Sequence, residues 1–331
     1  AWLSLCCAAL LFNATRAGAE TDASLRTQQV DLNVLWEVTP STNDKMSTIN
    51  QTEALRYTMT GQMYYLPAIA ASTMNPVYRL LGGIDHMTSI STNEGGYTLE
   101  GQIGNAWKKA NAPRATANMV RGYKSSISDH AMMSSRCTLS GYTQENFPDD
   151  YYGYHRFGSN ATSLYTLTGS EITIASNLVA GGILWNWTWN GKQFIDTLDY
   201  GREIQSSLSF TGAQALPTEG GDNKELSSAQ TTHGSPIYSY SNTITSTYKM
   251  QSTRAIPLEW NNELFNGGDT KKPVIYPNWW LGKDITLDMS SMNLGSGFDY
   301  LKNRVAKYTT VLYTPNGLSG ATIEVPTGYM L

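Results

Sequence analysis

Charge is scarce in this chain of 331 residues: Asp, Glu, Lys and Arg together make up 15% of it, well below the roughly 25% usual in soluble domains. That leaves long helices short of the Glu and Lys that favour them. The 23 Lys and Arg are outnumbered by 27 Asp and Glu, for a net charge of −4. Without a positive field to hold a phosphate backbone, nucleic acid is not an expected partner. Long hydrophobic runs are missing too: the apolar run near the N-terminus is too short to span a bilayer, and no later stretch reaches the ~18 apolar residues of a membrane span. Cysteine is nearly absent, with Cys6, Cys7 and Cys137 only. The first two fall in a segment expected to be removed, so Cys137 is left without an intrachain partner. Walker loops, Gly-x-Ser-x-Gly elbows, His-Glu-x-x-His sites and dinucleotide fingerprints are all lacking. No cofactor and no metal centre is therefore expected.

What the chain does have is 40% hydrophobic residues, 20 Tyr, 9 Trp and 29 Gly. This is enough apolar material for a packed core and suits strands and turns. Trp2 to Phe12 is an apolar run, and Ala17-Gly18-Ala19 supplies the small residues of a cleavage site. Residues 1–19 therefore read as a secretion signal, and an extracellular location follows. Residues 20–56 are polar, include the turn cluster Pro40 to Asp44, and read as a lead-in.

From about Tyr57 a strand–turn–strand pattern appears three times. Val77-Tyr78-Arg79-Leu80 leads through Gly82-Gly83 to Asp85-His86-Met87-Thr88-Ser89. Val120-Arg121-Gly122-Tyr123 leads to Asp129-His130-Ala131-Met132-Met133-Ser134, and Tyr154-His155-Arg156-Phe157 to Thr162-Ser163-Leu164-Tyr165-Thr166. The first two copies are followed by Gly96-Tyr97 and Gly141-Tyr142. A period near ~40 residues with three units predicts a shared core, here a β-trefoil-like threefold domain over 57–168 with Arg79, Arg121 and Arg156 equivalent. Tyr78-Arg79, Asp85-His86-Met87-Thr88 and Gly96-Tyr97-Thr98-Leu99-Glu100-Gly101 also resemble a repeat of unknown function in secreted bacterial proteins. That repeat is built on Tyr-Arg, Asp-His-Phe-Tyr-Thr and Gly-Tyr-x-x-Glu-Gly. The resemblance covers residues 60–168 and implies an accessory module of polysaccharide or cell-wall enzymes. The second copy lacks its aromatic pair, and the third replaces Asp-His with Thr162-Ser163.

Residues 169–331 read as an antiparallel β-sandwich, small or truncated. Trp185, Trp187 and Trp189 alternate along one strand, and Asn190-Gly191 is a hairpin turn. Further strands are expected at 203–210, 243–251, 284–289, 308–313 and 321–325. The entry strand, its Asn-Gly hairpin and the returning strand are similar to the start of galactose-mutarotase-like sandwiches, which sugar epimerases and several glycoside hydrolases and lyases share.

The candidate chemistry divides between binding and catalysis. Flat aromatic faces stack on sugar rings, and Trp279-Trp280 follows Tyr276-Pro277 in a loop. Tyr276, Trp279 and Trp280 are therefore glycan-contact candidates, while the Trp185 trio reads equally as core. Asp85 and His86 are ligand candidates as well. Neighbours on a flat strand point to opposite faces, however, so such a pair cannot chelate one ion, and a structural role competes. Tyr200, Arg202, Glu203, Glu219 and His233 form the densest polar cluster, with Asp222 beside Glu219. Two carboxylates there suit a hydrolase, and Tyr200 with His233 suits a lyase; a structural polar network is the competing reading. The expectation is a secreted carbohydrate-active protein with a polysaccharide or glycan partner. The alternative is a surface protein of adhesive or structural role without catalysis.

Overall fold

The computed structural model describes residues 30–134, 138–156, 164–178, 181–195, 207–210, 220–221, 233–259, 274–290, 297–314 and 321–324. The expected signal segment, Cys137, Tyr200, Arg202, Glu203 and Glu219 lie outside these residues. Strands account for 59% of the structure and helix for 4%, so the chain is all-β as its composition requires. No helix among the described residues is long and apolar enough to cross a membrane.

The first ten strands are β1 (Val30–Ser41), β2 (Asp44–Thr48), β3 (Thr58–Pro67), β4 (Met74–Gly82), β5 (Asp85–Ser89), β6 (Thr98–Trp107), β7 (Thr116–Lys124), β8 (Asp129–Ser134), β9 (Thr143–Gln144) and β10 (Tyr152–Arg156). They fall into three units with one plan. A long leading strand forms a hairpin with the strand after it and also pairs with the strand that closes the unit. Thus β1 pairs β2 and β3, β4 pairs β5 and β6, and β7 pairs β8 and β10. Strand β1 is continuously buried from Val34 to Val38 because both its faces are covered there. Leu32, Val34, Trp36 and Val38 enter one core cluster with Tyr65, Trp107 and Tyr154. Leu35 enters a second with Tyr64, Leu66, Val77, Ile103, Met119 and Met132.

The three units with a common pairing plan are not the three copies expected. The third expected copy is split: β10 pairs β3, β6 and β7, whereas Leu164–Thr168 joins a different sheet. Its Arg156 lies opposite Met63 in the first sheet and outside any hairpin. The missing unit is the segment read as a lead-in, whose β1–β2 hairpin places Glu37 opposite Ser47. Arg79 stands opposite Thr88 and Arg121 opposite Met132 in the same register, so Glu37 holds the position that Arg79 and Arg121 hold. No barrel closes among the described strands, and this pairing does not establish a trefoil.

The second part begins with β11 (Leu164–Thr168), β12 (Ile172–Asn177), β13 (Ile183–Trp189) and β14 (Lys192–Gln193), which form one sheet. Short pairs follow at β15 (Ser207–Phe210), β16 (Gly220–Gly221) and β17 (His233–Gly234). A second four-stranded sheet is built from β18 (Ile237–Ile244), β19 (Lys249–Ala255), β22 (Trp280–Leu287) and β23 (Lys307–Tyr313). Between its strands, β20 (Leu258–Glu259) pairs with β21 (Val274–Ile275), which crosses back to pair with β1, and β24 (Ala321–Glu324) pairs β15. The segment expected as one strand over 243–251 instead contains the turn between β18 and β19. The Asn190-Gly191 turn is as expected, with both residues at positive φ, 50° and 74°.

The two four-stranded sheets pack face to face. Leu167, Ile172, Ile174 and Leu184 from one meet Ile285 and Leu287 from the other, with Trp187 and Trp189 against the same cluster. Burying each such aliphatic side chain is worth roughly 1.5–3 kcal/mol. Matched polar groups also cross the interface. The Gln251 amide accepts from Ser176 Oγ at 2.5 Å and donates to the Tyr165 carbonyl at 2.5 Å, and the buried Lys283 amine donates to the Gly182 carbonyl.

Candidate functional site

The hairpin units are fastened head to tail by one carboxylate each. Asp44, Asp85 and Asp129 open β2, β5 and β8, and all three are buried. Asp44 Oδ1 accepts the His86 backbone N–H at 2.9 Å, and its Oδ2 lies 2.8 Å from His86 Nδ1. Asp85 repeats both contacts with His130, at 2.9 and 2.5 Å. Asp129 closes the ring by accepting the Lys45 N–H at 2.8 Å. Tyr97 donates to Asp85 and Tyr142 to Asp129, which explains the Gly-Tyr step after those units. One oxygen from each Asp falls within 4.8 Å of the others, yet both oxygens of each already accept hydrogen bonds within the ring. Burial works against the Asp85 anion, but His130 and Tyr97 outweigh it and hold the carboxyl below its usual range. Asp129 is pushed up by burial, which its bonds to Tyr142 and the Lys45 N–H do not overcome.

A second belt links the same units. Arg79 bridges Glu53 of the preceding unit, at 2.8 Å, and Glu100 of its own, at 2.7 Å. Arg121 does the same with Glu94 and Glu145, at 2.7 and 2.5 Å. Each Arg also donates to a carbonyl of the unit before it, Ser47 or Thr88. At the closing junction Glu37 reverses the polarity, accepting the Met132 N–H at 3.2 Å and the Ser47 hydroxyl at 2.5 Å. Full burial pushes its carboxyl up to about 8.

Asp85 and His86 are thus built into this framework, Asp85 buried and His86 held between Asp44 and Glu100. Their hydrogen bonds run between units, in the manner of the structural role that competed with ligand contact. Trp279 is 0% exposed and stacks on the buried Tyr276 with ring centroids 4.7 Å apart. Both are core residues, against the expectation of a loop platform, because β21 and the turn after it cross back over the first core. For His233 the structure describes only its backbone pairing with Gly221, so it gives no convergence of the catalytic candidates.

Of the aromatic candidates Trp280 is partly buried: it sits on the face of β22 turned away from the sandwich core and packs against the first core cluster. Alternation along β22 sends Leu281, Ile285 and Leu287 into the core and leaves Trp280, Asp284 and Thr286 outside. Cross-strand register then sets Tyr313 opposite Trp280, Val311 opposite Gly282, and Arg254 opposite Gly282 on the other side. Trp280 and Tyr313 stack with 7° between their planes and centroids 5.4 Å apart, and the Arg254 guanidinium lies 5.4 Å from the Trp280 ring. Gly282 makes this possible, since a Cβ there would meet Trp280 Cζ3 and Arg254 Cδ at 2.9 Å. Asp284 grips Arg254 with both oxygens, at 2.8 and 3.2 Å. Tyr313 is 46% exposed and Val311 beside it 38%. Ser239, Ser241, Ser252 and Thr309 extend the same face by register. Sequence reasoning missed Tyr313, whose only signal was alternation in the expected strand over 308–313.

Comparison with family models, with curated proteins and with solved structures returns no match to this chain.

Proposed function

We propose that this chain is a secreted polysaccharide-binding protein whose sandwich, rather than its hairpin units, carries the glycan-contact surface. The observation that supports this most is the aromatic row on an outer sheet face, with Tyr313 exposed, Trp280 stacked behind it and the Arg254–Asp284 pair alongside. An exposed flat ring offers an apolar surface to the C–H face of a pyranose, and neighbouring hydroxyl, carboxylate and guanidinium groups match its hydroxyls. Secretion is supported by the apolar run at Trp2–Phe12 and the small residues at Ala17–Ala19.

The test is retention on insoluble polysaccharides, measured together with product release. Truncating a stacked aromatic costs ~1–3 kcal/mol in nucleic-acid sites. Tyr313→Ala should accordingly weaken retention by about tenfold or more while leaving the melting temperature near that of the parent. Retention unaffected by this substitution would refute the surface. Release of reducing ends or unsaturated sugars by the parent protein would assign a catalytic role in addition.

A further inference from the structure

Resting on that reading, we infer that the surface selects uncharged, hydroxyl-presenting polysaccharides and rejects acidic ones, because the cation beside its aromatic row is already neutralised within the face. Arg254 is that cation, and it is not available to an anion. Its Nη1 donates to Asp284 at 2.8 Å and to the Thr253 carbonyl at 2.9 Å, and its Nη2 faces the second Asp284 oxygen at 3.2 Å. A carboxylate that holds a guanidinium bidentately fills the geometry by which Arg recognises carboxylates and sulfates. An acidic sugar arriving at Tyr313 would meet the Asp284 anion as well as a screened cation. Among the described residues, the other groups beside the row are neutral: the hydroxyls of Ser239, Ser241, Ser252 and Thr309, with Val311 between. Lys307 shares the face but stands at the opposite end of β23, ~20 Å from Tyr313 at the rise of an extended strand. The net charge of −4 on the chain adds a weak long-range field that also opposes an anion.

Asp284 therefore acts as a specificity-determining residue. It leaves the Arg254–Trp280 contact available to support the aromatic row and removes the charge that a polyanion would need. A neutral glycan loses nothing by this, since stacking and hydroxyl contacts do not depend on a free cation, and its binding should respond little to salt.

Affinity electrophoresis of the whole protein in gels containing one soluble polysaccharide each tests the inference. The neutral set is mixed-linkage β-glucan, xyloglucan, galactomannan and amylose. The acidic set is polygalacturonate, alginate and chondroitin sulfate. The expected result is retardation by at least one neutral polymer, persisting as NaCl rises from about 0.05 to about 0.5 M, with no retardation by the acidic set. Retardation by acidic polymers alone, abolished by salt, would overturn the selectivity while leaving glycan binding intact. No retardation by any polymer would overturn the glycan reading itself, and the selectivity with it. Asp284→Asn keeps the size of the side chain and frees the guanidinium. It should give about tenfold or greater gain in binding to polygalacturonate, lost again at high salt, with circular dichroism unchanged. A folded Asp284→Asn protein that still ignores polygalacturonate would show that Asp284 is not the excluding group.

Discussion

Asp44 and His86, residues of two different hairpins, are joined twice, through the His86 backbone N–H at 2.9 Å and through its ring Nδ1 at 2.8 Å. Asp85 and His130 are joined in the same way, so one short side chain holds both the register and the orientation of the next unit. Asp129 holds only the Lys45 backbone at the third junction. The units therefore share a fastening, and the closing junction is the one without an imidazole.

Removing a fastening should cost more than the small size of the side chain suggests. Asp85→Ala strips the acceptor from the buried His130 N–H and ring, and from the Tyr97 hydroxyl. An unsatisfied buried donor costs ~1–3 kcal/mol, so a total loss of about 3 kcal/mol is expected in urea denaturation. Asp299→Ala, at a side chain 77% exposed, should change stability by less than about 0.5 kcal/mol. Equal effects from the two substitutions would show that the ring contacts carry no particular weight.

Glu37 should make stability fall between about pH 4.5 and about pH 8. Its folded value of about 8 lies above the ordinary 4.5, so the native state keeps a proton that the unfolded chain has lost. Stability from this group is then full below about pH 4.5, falls as pH rises toward 8, and levels off above it. The groups that face it oppose this only in part: the Ser47 hydroxyl, the Met132 N–H and Lys45 lower its value, while Asp129 raises it. Glu37→Gln mimics the protonated form. The variant should match the parent near pH 4 and exceed it near pH 8.5. The gain should be on the order of a few kcal/mol, since each tenfold change in proton affinity is worth ~1.4 kcal/mol. Denaturation midpoints of the two proteins across this range test it, and a constant difference would refute it.

The adjacent residues Trp279 and Trp280 should behave differently from each other and from Tyr313. Trp279 is fully buried against Tyr276, so Trp279→Ala should cost ~3–5 kcal/mol and lower the melting temperature sharply. Tyr313, on the edge strand β23 and half in solvent, should lose about 1 kcal/mol or less on truncation. Thermal unfolding of both variants distinguishes them; similar losses would mean that Tyr313 is a core residue and not part of a surface.

Much of the architecture was legible because strand patterns are local. The Asn190-Gly191 turn needs positive φ at two successive residues, and those residue types announce it. Asp85-His86-Met87-Thr88-Ser89 and Asp129-His130 each marked the second strand of a true hairpin. The first unit carries the same signal in Asp44-Lys45-Met46-Ser47-Thr48, and Tyr57-Thr58-Met59-Thr60-Gly61-Gln62 parallels Tyr97-Thr98-Leu99-Glu100-Gly101-Gln102. That signal is masked because Glu37 replaces the Arg and Lys45 the His that define the pattern. The third expected copy failed for the opposite reason. Arg156 and Leu164-Tyr165-Thr166 fit the pattern by residue type, but strand partners are chosen by packing between segments far apart in sequence.

By itself the sequence determined that this chain is built of strands and where several of its hairpins turn. Composition and φ preference act residue by residue, so each can be read without knowing what lies across the sheet. Which aromatic residues reach solvent was decided only by the tertiary structure. Tyr276, Trp279 and Trp280 lie within five positions of one another, and nothing local separates them. The return of β21 to the first sheet buries Tyr276 and Trp279, while alternation along β22 and the register with β23 leave Trp280 partly buried, stacked on the exposed Tyr313. Burial is a property of what packs against a residue, and here those neighbours come from strands brought together only by the fold.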